Sequence, residues 1–434
     1  MEWMKIAMVA VMAVMGVAAG GGGASQLGIN YGQIGNNLPD PRKAVQLVKS
    51  VGASHVKLYD ANPRVLSAFA NTGISFTLGV GNEYLAQMRD PGEALSWVQT
   101  NVGAHIPGTI IASVAVGNEV LTLNDSSLVS NLLPAMRSLR NAIASLNLSV
   151  TVTTPHSLSV LLSSYPPSSA SFRPDLMPAL NPILDFLRRT GAPFLINAYP
   201  FFAYMASPDR IPIDFVLFRP NQGLLDPATG FRYDNMLFSQ VDAVRFALSS
   251  AGFHEIEVEV SETGWPSKGD KYETGASAEN ARQYNGNLIK RLSTGADTPM
   301  RPGVSLMVYV FALFNENMKP GPSSERNYGL FKPDGTPTYD LGVKISGSPS
   351  DANQDTSPAS NTSQDATDPP QLPQTSSTGY LSLSSLAASM VISFVLHLLS
   401  ILKCCCAGSP PRHGVWFAGA YPVVAWHKLL CSHT

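Results

Sequence analysis

Short apolar runs rich in β-branched residues alternate with amphipathic segments along most of the chain. An apolar run of about four to eight residues bounded by turn residues predicts a buried strand, and apolar positions three or four apart predict a helix. Helices are predicted at Asp40–Val51, Ser127–Leu146, Phe238–Ala251 and Ala276–Thr294. Eight strands are predicted, at Gln26–Tyr31, His55–Tyr59, Ser75–Val80, Ile110–Val116, Val150–Thr154, Pro193–Ala198, Glu255–Val260 and Ser305–Phe311.

Eight buried strands that alternate with helices predict an α/β fold, most simply a (β/α)8 TIM barrel over residues 25–344. An open doubly wound sheet would produce the same alternation. No G-x-G-x-x-G sequence follows the first predicted strand and the sequence contains no P-loop, so nucleotide binding has little support. The barrel is therefore the preferred architecture.

The segments on either side of the predicted barrel differ from it in composition. Residues 1–24 combine an early cation, Lys5, with an apolar run and small residues, as secretory signal peptides do. Residues 345–380 are rich in Ser, Pro, Asp and Thr and contain no Lys or Arg, so they are predicted to form a disordered linker. We expect a secreted protein whose mature chain starts near Ser25.

A C-terminal hydrophobic segment follows the linker at residues 381–402, with 22 residues and no formal charge. The segment is long enough to span a bilayer, and after a polar spacer it is also typical of a GPI-attachment signal. The tail at residues 403–434 contains three Lys or Arg residues and no acid, which suits a cytoplasmic flank, and Cys404–Cys406 could be palmitoylated. Membrane attachment is predicted, and both kinds of anchor remain open.

Composition narrows the possible functions. Lys and Arg number 29 against 31 Asp and Glu, a formal charge of −2, so no cationic face for nucleic acid is indicated. All four cysteines lie between Cys404 and Cys431, so the predicted barrel has no disulfide and no cysteine-based metal site. The histidines show no ligand spacing, and we expect no metal, no cofactor and a monomer. Sequons at Asn124, Asn147 and Asn361 are candidate glycosylation sites.

Carboxylates, amides and aromatic rings follow the predicted strands, at the barrel end where (β/α)8 enzymes place their active sites. This combination suits sugars, because carboxylates act as acid, base or nucleophile, amides bind hydroxyls and rings pack on pyranose faces. The sequence contains neither a G-x-S-x-G elbow nor H-E-x-x-H, so esterase and peptidase functions are disfavoured. The segments are Asn30–Gly32, Tyr59–Asn62, Gly81–Glu83, Gly117–Glu119, Asn197–Phe202, Ser261–Pro266 and Phe314–Asn317.

Four motifs resemble, in their order and spacing, those of the plant β-1,3-glucanases of glycoside hydrolase family 17. They are Gly28–Gly32, Val116–Glu119, Val260–Ser267 and Phe311–Asn317, within a resemblance over about residues 26–341. The resemblance implies a (β/α)8 barrel, no cofactor and retaining endo-hydrolysis of β-1,3-glucan, the polymer called callose in plants. It also implies that Glu119 is the acid/base and Glu262 the nucleophile. Tyr31, Tyr199, Phe202, Glu316 and Lys319 match or neighbour positions that line the family's cleft.

Reasoning from the residues alone leads to the same two carboxylates, with one ambiguity. Side chains from the fourth and seventh strands of a barrel can approach to the about 5–5.5 Å that a covalent glycosyl-enzyme requires. This count favours Glu119 over Glu83, which ends a second Gly-Asn-Glu sequence one strand earlier. Asn118 could hold a sugar hydroxyl beside Glu119. Glu83 is expected at the rim or at the start of a helix.

Other charged residues allow both a structural and a functional interpretation. Glu255, Glu257 and Glu259 alternate with apolar residues along the seventh predicted strand, and we expect them outside the barrel lumen. Glu316 is an alternative acid. Because Lys319 follows it by three residues, a charged pair that positions substrate hydroxyls is the preferred interpretation.

The aromatic residues near the seventh and sixth strands also have two interpretations. Tyr199, Phe201 and Phe202 are preferred as sugar-binding platforms, although aromatic residues after a strand often belong to the core. Trp265 directly follows the Glu262 motif, so it either packs to orient Glu262 or stacks on a sugar.

These observations predict an endo-β-1,3-glucanase at the cell surface or cell wall. Proximity of the two carboxylates should raise the pKa of the acid, so activity should be highest at mildly acidic pH. The alternatives are a mixed-linkage glucanase, a transglycosylase, or a wall-glucan-binding protein without turnover. The linker resembles the stalks of anchored family members, which favours GPI attachment over a retained membrane span.

Overall fold

The computed structural model describes residues 26–295 and 297–342. The predictions for residues 1–24, 345–380, 381–402 and 403–434, and for Asn361, lie outside the described residues. The strands are β1 Leu27–Asn30, β2 His55–Lys57, β3 Ser75–Val80, β4 Ile110–Val116, β5 Thr151–Thr153, β6 Pro155–Ser157, β7 Leu161–Ser163, β8 Ser171–Phe172, β9 Phe194–Asn197, β10 Leu224–Leu225, β11 Arg232–Tyr233, β12 Val258–Thr263 and β13 Val308–Phe311.

Nine of these strands form one parallel sheet that curls into a nearly closed barrel. Its order is β5-β4-β3-β2-β1-β13-β12-β9-β6. The two ends of this order, β5 and β6, are separated in the chain only by Thr154, so the sheet returns to its own starting point. Pro155 has no N–H to continue the ladder, and β5 pairs with β4 whereas β6 pairs with β9. The predicted eight-stranded barrel is confirmed, with its fifth strand divided in two.

Helices connect successive barrel strands. Several begin where an Asp or Asn side chain accepts a backbone N–H and a proline follows, as at Asp40, Asn62 and Asp90. None of the helices in the described part of the chain is long and apolar enough to cross a membrane. Their bounds are Pro41–Ser50, Pro63–Ala68, Pro91–Val98, Ser126–Ser145, Met177–Thr190, Pro200–Ala206, Ile213–Val216, Met236–Ser250 and Ala278–Ser293.

Polar and aromatic side chains fill the lower barrel interior. The hydroxyl of Tyr309 on β13 lies 3.1 Å from that of Thr77 on β3, and Thr77 lies 2.8 Å from Ser113 on β4. Strands β13 and β3 are not neighbours in the sheet, so this contact crosses the lumen. Gly28 on β1 faces the Tyr309 ring so closely that a Cβ atom at this position would lie only 2.4 Å from the ring, and only glycine fits. The interior is thus a packed core below the site.

Strand β12 differs from the prediction in extent and in the placement of one glutamate. It begins at Val258 and continues through Thr263, so Glu255 and Glu257 precede it and make ion pairs at the surface. Val258 and Val260 belong to the helix-facing core, so Glu259 between them points to the lumen. There burial, with a smaller contribution from Glu257, raises the pKa of Glu259 to about 7. The prediction that all three glutamates lie outside the lumen is wrong for Glu259.

Candidate active site

Glu262 lies near the end of β12 and is 7% exposed. The Lys57 ammonium donates to its Oε1 over 2.8 Å and the Tyr59 hydroxyl donates to the same oxygen over 2.7 Å. The Tyr199 hydroxyl donates to Oε2 over 2.9 Å. Burial alone would raise the pKa of Glu262, but Lys57, Tyr59 and Lys319 outweigh it and hold the pKa below its ordinary value. The carboxylate is therefore ionised and oriented by three donors.

Glu119 follows β4 in a tight turn. Its own φ is 55° and that of Gly117 is 65°, and its N–H donates to the Pro155 carbonyl over 2.9 Å. These left-handed conformations turn the chain sharply at the strand end. Burial, reinforced by the negative charge of Glu262, raises the pKa of Glu119 to about 7. Glu119 is thus a carboxyl group that keeps its proton well above the pH at which Glu262 ionises.

Asn197 connects the two carboxylate-bearing strands. Its amide nitrogen lies 2.9 Å from Oε1 of Glu119, and its amide oxygen accepts the Ser261 hydroxyl over 2.7 Å. The Ser261 bond orients the amide so that its N–H points to Glu119. Asn197 also pairs in register with Glu262 across β9 and β12. The amide nitrogen lies 3.4 Å from Oδ1 of Asn118, the predicted sugar-binding amide.

The second Gly-Asn-Glu sequence has a supporting position. The Asn82 side chain accepts the N–H of Asn118 over 2.8 Å and donates to its carbonyl over 3.1 Å. Glu83 is exposed, lies in the short 3-10 helix Asn82–Tyr84 and folds its carboxylate over Gly81. The predicted rim or helix-start placement of Glu83 agrees with this geometry. A cavity of about 250 Å³ lies beside it, lined by residues that include Lys57, Tyr59 and Asn118.

Lys319 and Glu316 lie on the loop after β13, and the N–H of Lys319 donates to the Glu316 carbonyl over 3.2 Å, but the two side chains bind different partners. Lys319 Nζ lies 3.0 Å from Oε2 of Glu325 and 4.1 Å from the centre of the Phe311 ring. Oε1 of Glu316 instead accepts the Ile34 N–H over 2.8 Å, which holds Glu316 against the loop after β1. The predicted Glu316–Lys319 pair is replaced by Lys319–Glu325. Burial raises the pKa of Glu316, although the Ile34 bond and Lys319 oppose this rise.

Aromatic rings form one wall of the site. Tyr199 packs against Phe202, Phe311 and Tyr328, with ring centres 5.4, 6.4 and 5.9 Å apart. Phe202 is partly exposed, whereas Phe201 is fully buried in the core and is no platform.

Two other aromatic residues named by the sequence are buried. Trp265 is 0% exposed and packs on Phe201, so it supports the strand end that carries Glu262. The Tyr31 ring is 2% exposed and contacts Phe314, and burial raises the pKa of its hydroxyl to about 12. The open part of the wall therefore consists of other rings.

Sequence reasoning missed Lys57, Glu325 and Tyr328. Tyr59, Asn197 and Ser261 lie in the segments named at the strand ends, but the sequence assigned them no individual role. Lys57 did carry a signal, because a lysine inside an apolar strand requires a buried partner. Glu325 follows Lys319 on the same loop, and only the folded path of that loop brings their charges together. Of the glycosylation candidates, Asn124 and Asn147 are both exposed. Within residues 26–295 and 297–342, no group of three or more His, Cys, Asp or Glu could hold a metal.

Similar proteins share this fold and most of the chain. The glucan endo-1,3-beta-glucosidase 11 of Arabidopsis thaliana is 60% identical over 325 residues, covering 74% of this chain and 76% of that protein. A glucan endo-1,3-beta-D-glucosidase of Olea europaea is 46% identical over 322 residues, covering 74% of this chain and 70% of the relative. The solved β-1,3-glucanase and allergen of Cryptomeria japonica pollen is 40% identical, with a TM-score of 0.70 over 74% of this chain and 99% of that chain.

A family model gives the same result over nearly all the described residues. Residues 27–343 match the glycosyl hydrolases family 17. This range contains every barrel strand and both glutamates described above. The chain therefore belongs to the glycosyl hydrolases family 17.

Proposed function

We propose that this protein is a retaining endo-hydrolase of β-1,3-glucan, with Glu119 as acid/base and Glu262 as nucleophile. The observation that carries the proposal is that the environments of the two carboxyls shift their pKa values in opposite directions. Glu262 accepts three hydrogen bonds and its pKa lies below the ordinary value, whereas the pKa of Glu119 is raised to about 7. Two carboxyls whose pKa values are separated in this way can act as nucleophile and acid at the same pH.

In the first step, the Glu119 proton passes to the glycosidic oxygen while Glu262 attacks C1 and the leaving chain departs. Oε1 of Glu262 already accepts two hydrogen bonds, but Oε2 accepts one, from Tyr199. Each carboxylate oxygen has two lone pairs, so Oε2 has one left to form the bond to C1. In the second step, Glu119 takes a proton from water, which displaces Glu262 and yields product of retained configuration.

The surrounding groups suit a neutral polysaccharide. The partly exposed rings of Phe202 and Tyr199 offer apolar faces for pyranose rings. Lys319, Glu316 and Asn118 supply charged and amide groups for sugar hydroxyls. The similar proteins of Arabidopsis thaliana and Olea europaea are named for the same substrate linkage, and this supports β-1,3-glucan as the substrate here.

Product analysis tests this proposal. Laminarin, a mixed-linkage 1,3;1,4-glucan and cellulose oligomers are each incubated with the protein, and products are sized and their first-formed anomer determined. We expect laminarin to yield a series of oligosaccharides with initial β-configuration. Faster cleavage of the mixed-linkage polymer, transfer products longer than the substrate, or binding without cleavage would each assign a different function. One of the similar solved structures belongs to a pair of plant β-glucan endohydrolases described as having distinct substrate specificities, so the polymers must be compared directly.

We also propose that the protein is secreted and attached to the outer face of the plasma membrane. The support is the signal-peptide pattern of residues 1–24 and the uncharged segment of residues 381–402. A wall polymer as substrate agrees with that location.

A further inference from the structure

Two acidic side chains on the loop after β12 bind two consecutive serines on the loop after β13. Asp270 accepts the N–H of Ser323 over 3.0 Å and its hydroxyl over 2.7 Å, through separate oxygens. Glu273 accepts the N–H of Ser324 over 3.1 Å and also the Ser324 hydroxyl. We refer to Asp270, Glu273, Ser323 and Ser324 as the latch.

The Glu273–Ser324 half of the latch is buried. Glu273 is 5% exposed and Ser324 is 1% exposed. Oε2 of Glu273, which accepts the Ser324 N–H, also accepts the Asp270 N–H over 2.8 Å. The carboxylate is thus satisfied by donors from both loops. A buried carboxylate that loses such donors is costly, so the two loops are strongly held in one arrangement.

Further bonds extend the latch toward the site. The Ser267 N–H and hydroxyl both donate to the Asn327 carbonyl over 2.9 Å. Arg326 donates to the carbonyls of Lys319 and Gly321 over 2.9 and 3.0 Å, which closes the loop on itself. The short 3-10 helix Ser323–Arg326 contains both latch serines.

The segment held in this way carries two charges that act electrostatically on the catalytic pair. Lys319 and Glu325 form an ion pair at 3.0 Å, and Glu325 directly follows latch residue Ser324. The positive charge of Lys319 lowers the pKa of Glu262, and the negative charge of Glu325 raises the pKa of Glu119. The other charged groups facing the two carboxyls are Lys57, on β2, and Glu316, on the loop after β13.

We propose that the latch is a positioning device that holds Lys319 and Glu325 in fixed positions relative to the catalytic pair. The inference rests on the proposed function and deepens it. Asp270 and Glu273 touch no reacting atom themselves; they act through the loop that they fasten. Releasing the loop separates the two charges from the site, so it changes the ionisation of both catalytic carboxyls as well as the binding surface.

Glu273→Gln and Ser324→Ala, made singly in the full chain, test the latch. We expect kcat/KM on laminarin to fall about tenfold, because small misplacements of binding groups lower rates strongly. The pH profile of kcat/KM should narrow on both sides by a few tenths of a pH unit. Its acidic limb should move up as Glu262 loses the charge of Lys319, and its alkaline limb should move down as Glu119 loses that of Glu325. Amide hydrogen exchange at residues 319–327 should accelerate about tenfold.

Asp226→Asn is the matched control. Asp226 is 1% exposed and accepts the N–H of Ser168 over 2.8 Å and its hydroxyl over 2.7 Å, which is the latch geometry between two other loops. We expect this variant to lose thermal stability without narrowing the pH profile. Identical pH limbs in Glu273→Gln, Ser324→Ala and wild type would overturn the inference.

Hydrogen exchange separates failure of the latch from failure of the proposed function. If wild type does not cleave laminarin, the proposed function fails, but faster exchange at residues 319–327 in Glu273→Gln still supports the latch. Unchanged exchange in that segment overturns the latch whatever the wild-type activity.

Discussion

The ammonium of Lys57 lies 2.8 Å from Oε1 of Glu262, and the two side chains are 2% and 9% exposed. A buried carboxylate without a partner would take up a proton. Lys57 is the largest single influence opposing the burial of Glu262, through its charge and its hydrogen bond. This contact therefore keeps the proposed nucleophile ionised although its side chain is almost fully buried.

Lys57→Met should raise the pKa of Glu262 and move the acidic limb of the kcat/KM profile to higher pH. Removing one partner of a buried ion pair should also lower the free energy of unfolding at pH 7 by about 3–5 kcal/mol. The loss should shrink at low pH, where Glu262 is protonated in both the folded and the unfolded state. Chemical denaturation and initial rates across pH measure both effects.

Lys57→Arg is the charge-conserving comparison for this prediction. It should keep the acidic limb close to that of wild type even if packing lowers the rate. An unmoved acidic limb in Lys57→Met would show that another group sets the ionisation of the nucleophile.

Glu262→Ala should abolish nearly all hydrolysis of laminarin, because no covalent intermediate can form. Azide or formate should partly restore turnover of activated β-glucosides by occupying the space of the missing carboxylate. The product of azide attack should be the α-glycosyl azide, the inverted configuration. Nuclear magnetic resonance of the product decides the outcome, and a β-product would place the nucleophile elsewhere.

Glu119→Gln should lower kcat on laminarin by about 10²- to 10⁴-fold, the usual contribution of a general acid. Substrates with good leaving groups should retain a fast first step, visible as a burst, since their departure needs no proton. Glu83→Gln is the matched control, because Glu83 follows the same Gly-Asn pair but is exposed at the rim. Loss of activity in Glu83→Gln with an active Glu119→Gln would reverse the assignment.

The alkaline limb of the activity profile should fall near pH 7, where Glu119 loses its proton. Activity should also fall at low pH, as Glu262 is protonated below its ordinary pKa, so the maximum should be mildly acidic. Steady-state rates on laminarin between pH 3 and 9 measure both limbs. A rate that stays level up to pH 9 would contradict Glu119 as the acid.

The same ionisation should affect stability. The pKa of Glu119 is higher in the folded protein than in the unfolded chain. The stability that this residue allows is therefore fully present below the unfolded-state pKa, and it is lost as the pH rises toward 7. Glu119→Gln should therefore be more stable than wild type at pH 8, by about 1–3 kcal/mol, and the difference should vanish below about pH 4. Thermal unfolding at both pH values checks the sign.

The anchor can be tested on membranes from cells that express the full chain. If residues 381–402 act as a GPI signal, phosphatidylinositol-specific phospholipase C should release active enzyme. The tail at residues 403–434 should then be missing from the mature protein. An antibody that detects this tail on the cytosolic side of membrane-bound enzyme would establish a retained span instead.

The local pattern of the sequence was sufficient for the barrel and for naming the two glutamates that lie in the candidate site. Strands β3 and β4 have the predicted bounds, because both are apolar runs delimited by turn residues. Buried parallel strands need this composition wherever they occur, so the pattern carries the architecture. Glu119 and Glu262 could be named because they follow strands at the end of the barrel where side chains converge.

Only the tertiary structure determined what surrounds those glutamates. Lys57 and Glu262 are 205 residues apart in the chain, and Lys319 pairs with Glu325 rather than with Glu316. Glu259 lies in the lumen because Val258 and Val260 pack in the apolar core and strand alternation places Glu259 on the opposite face of β12. The first contact depends on the packing of distant segments and the second on the path of one irregular loop, and neither leaves a periodicity or spacing in the sequence.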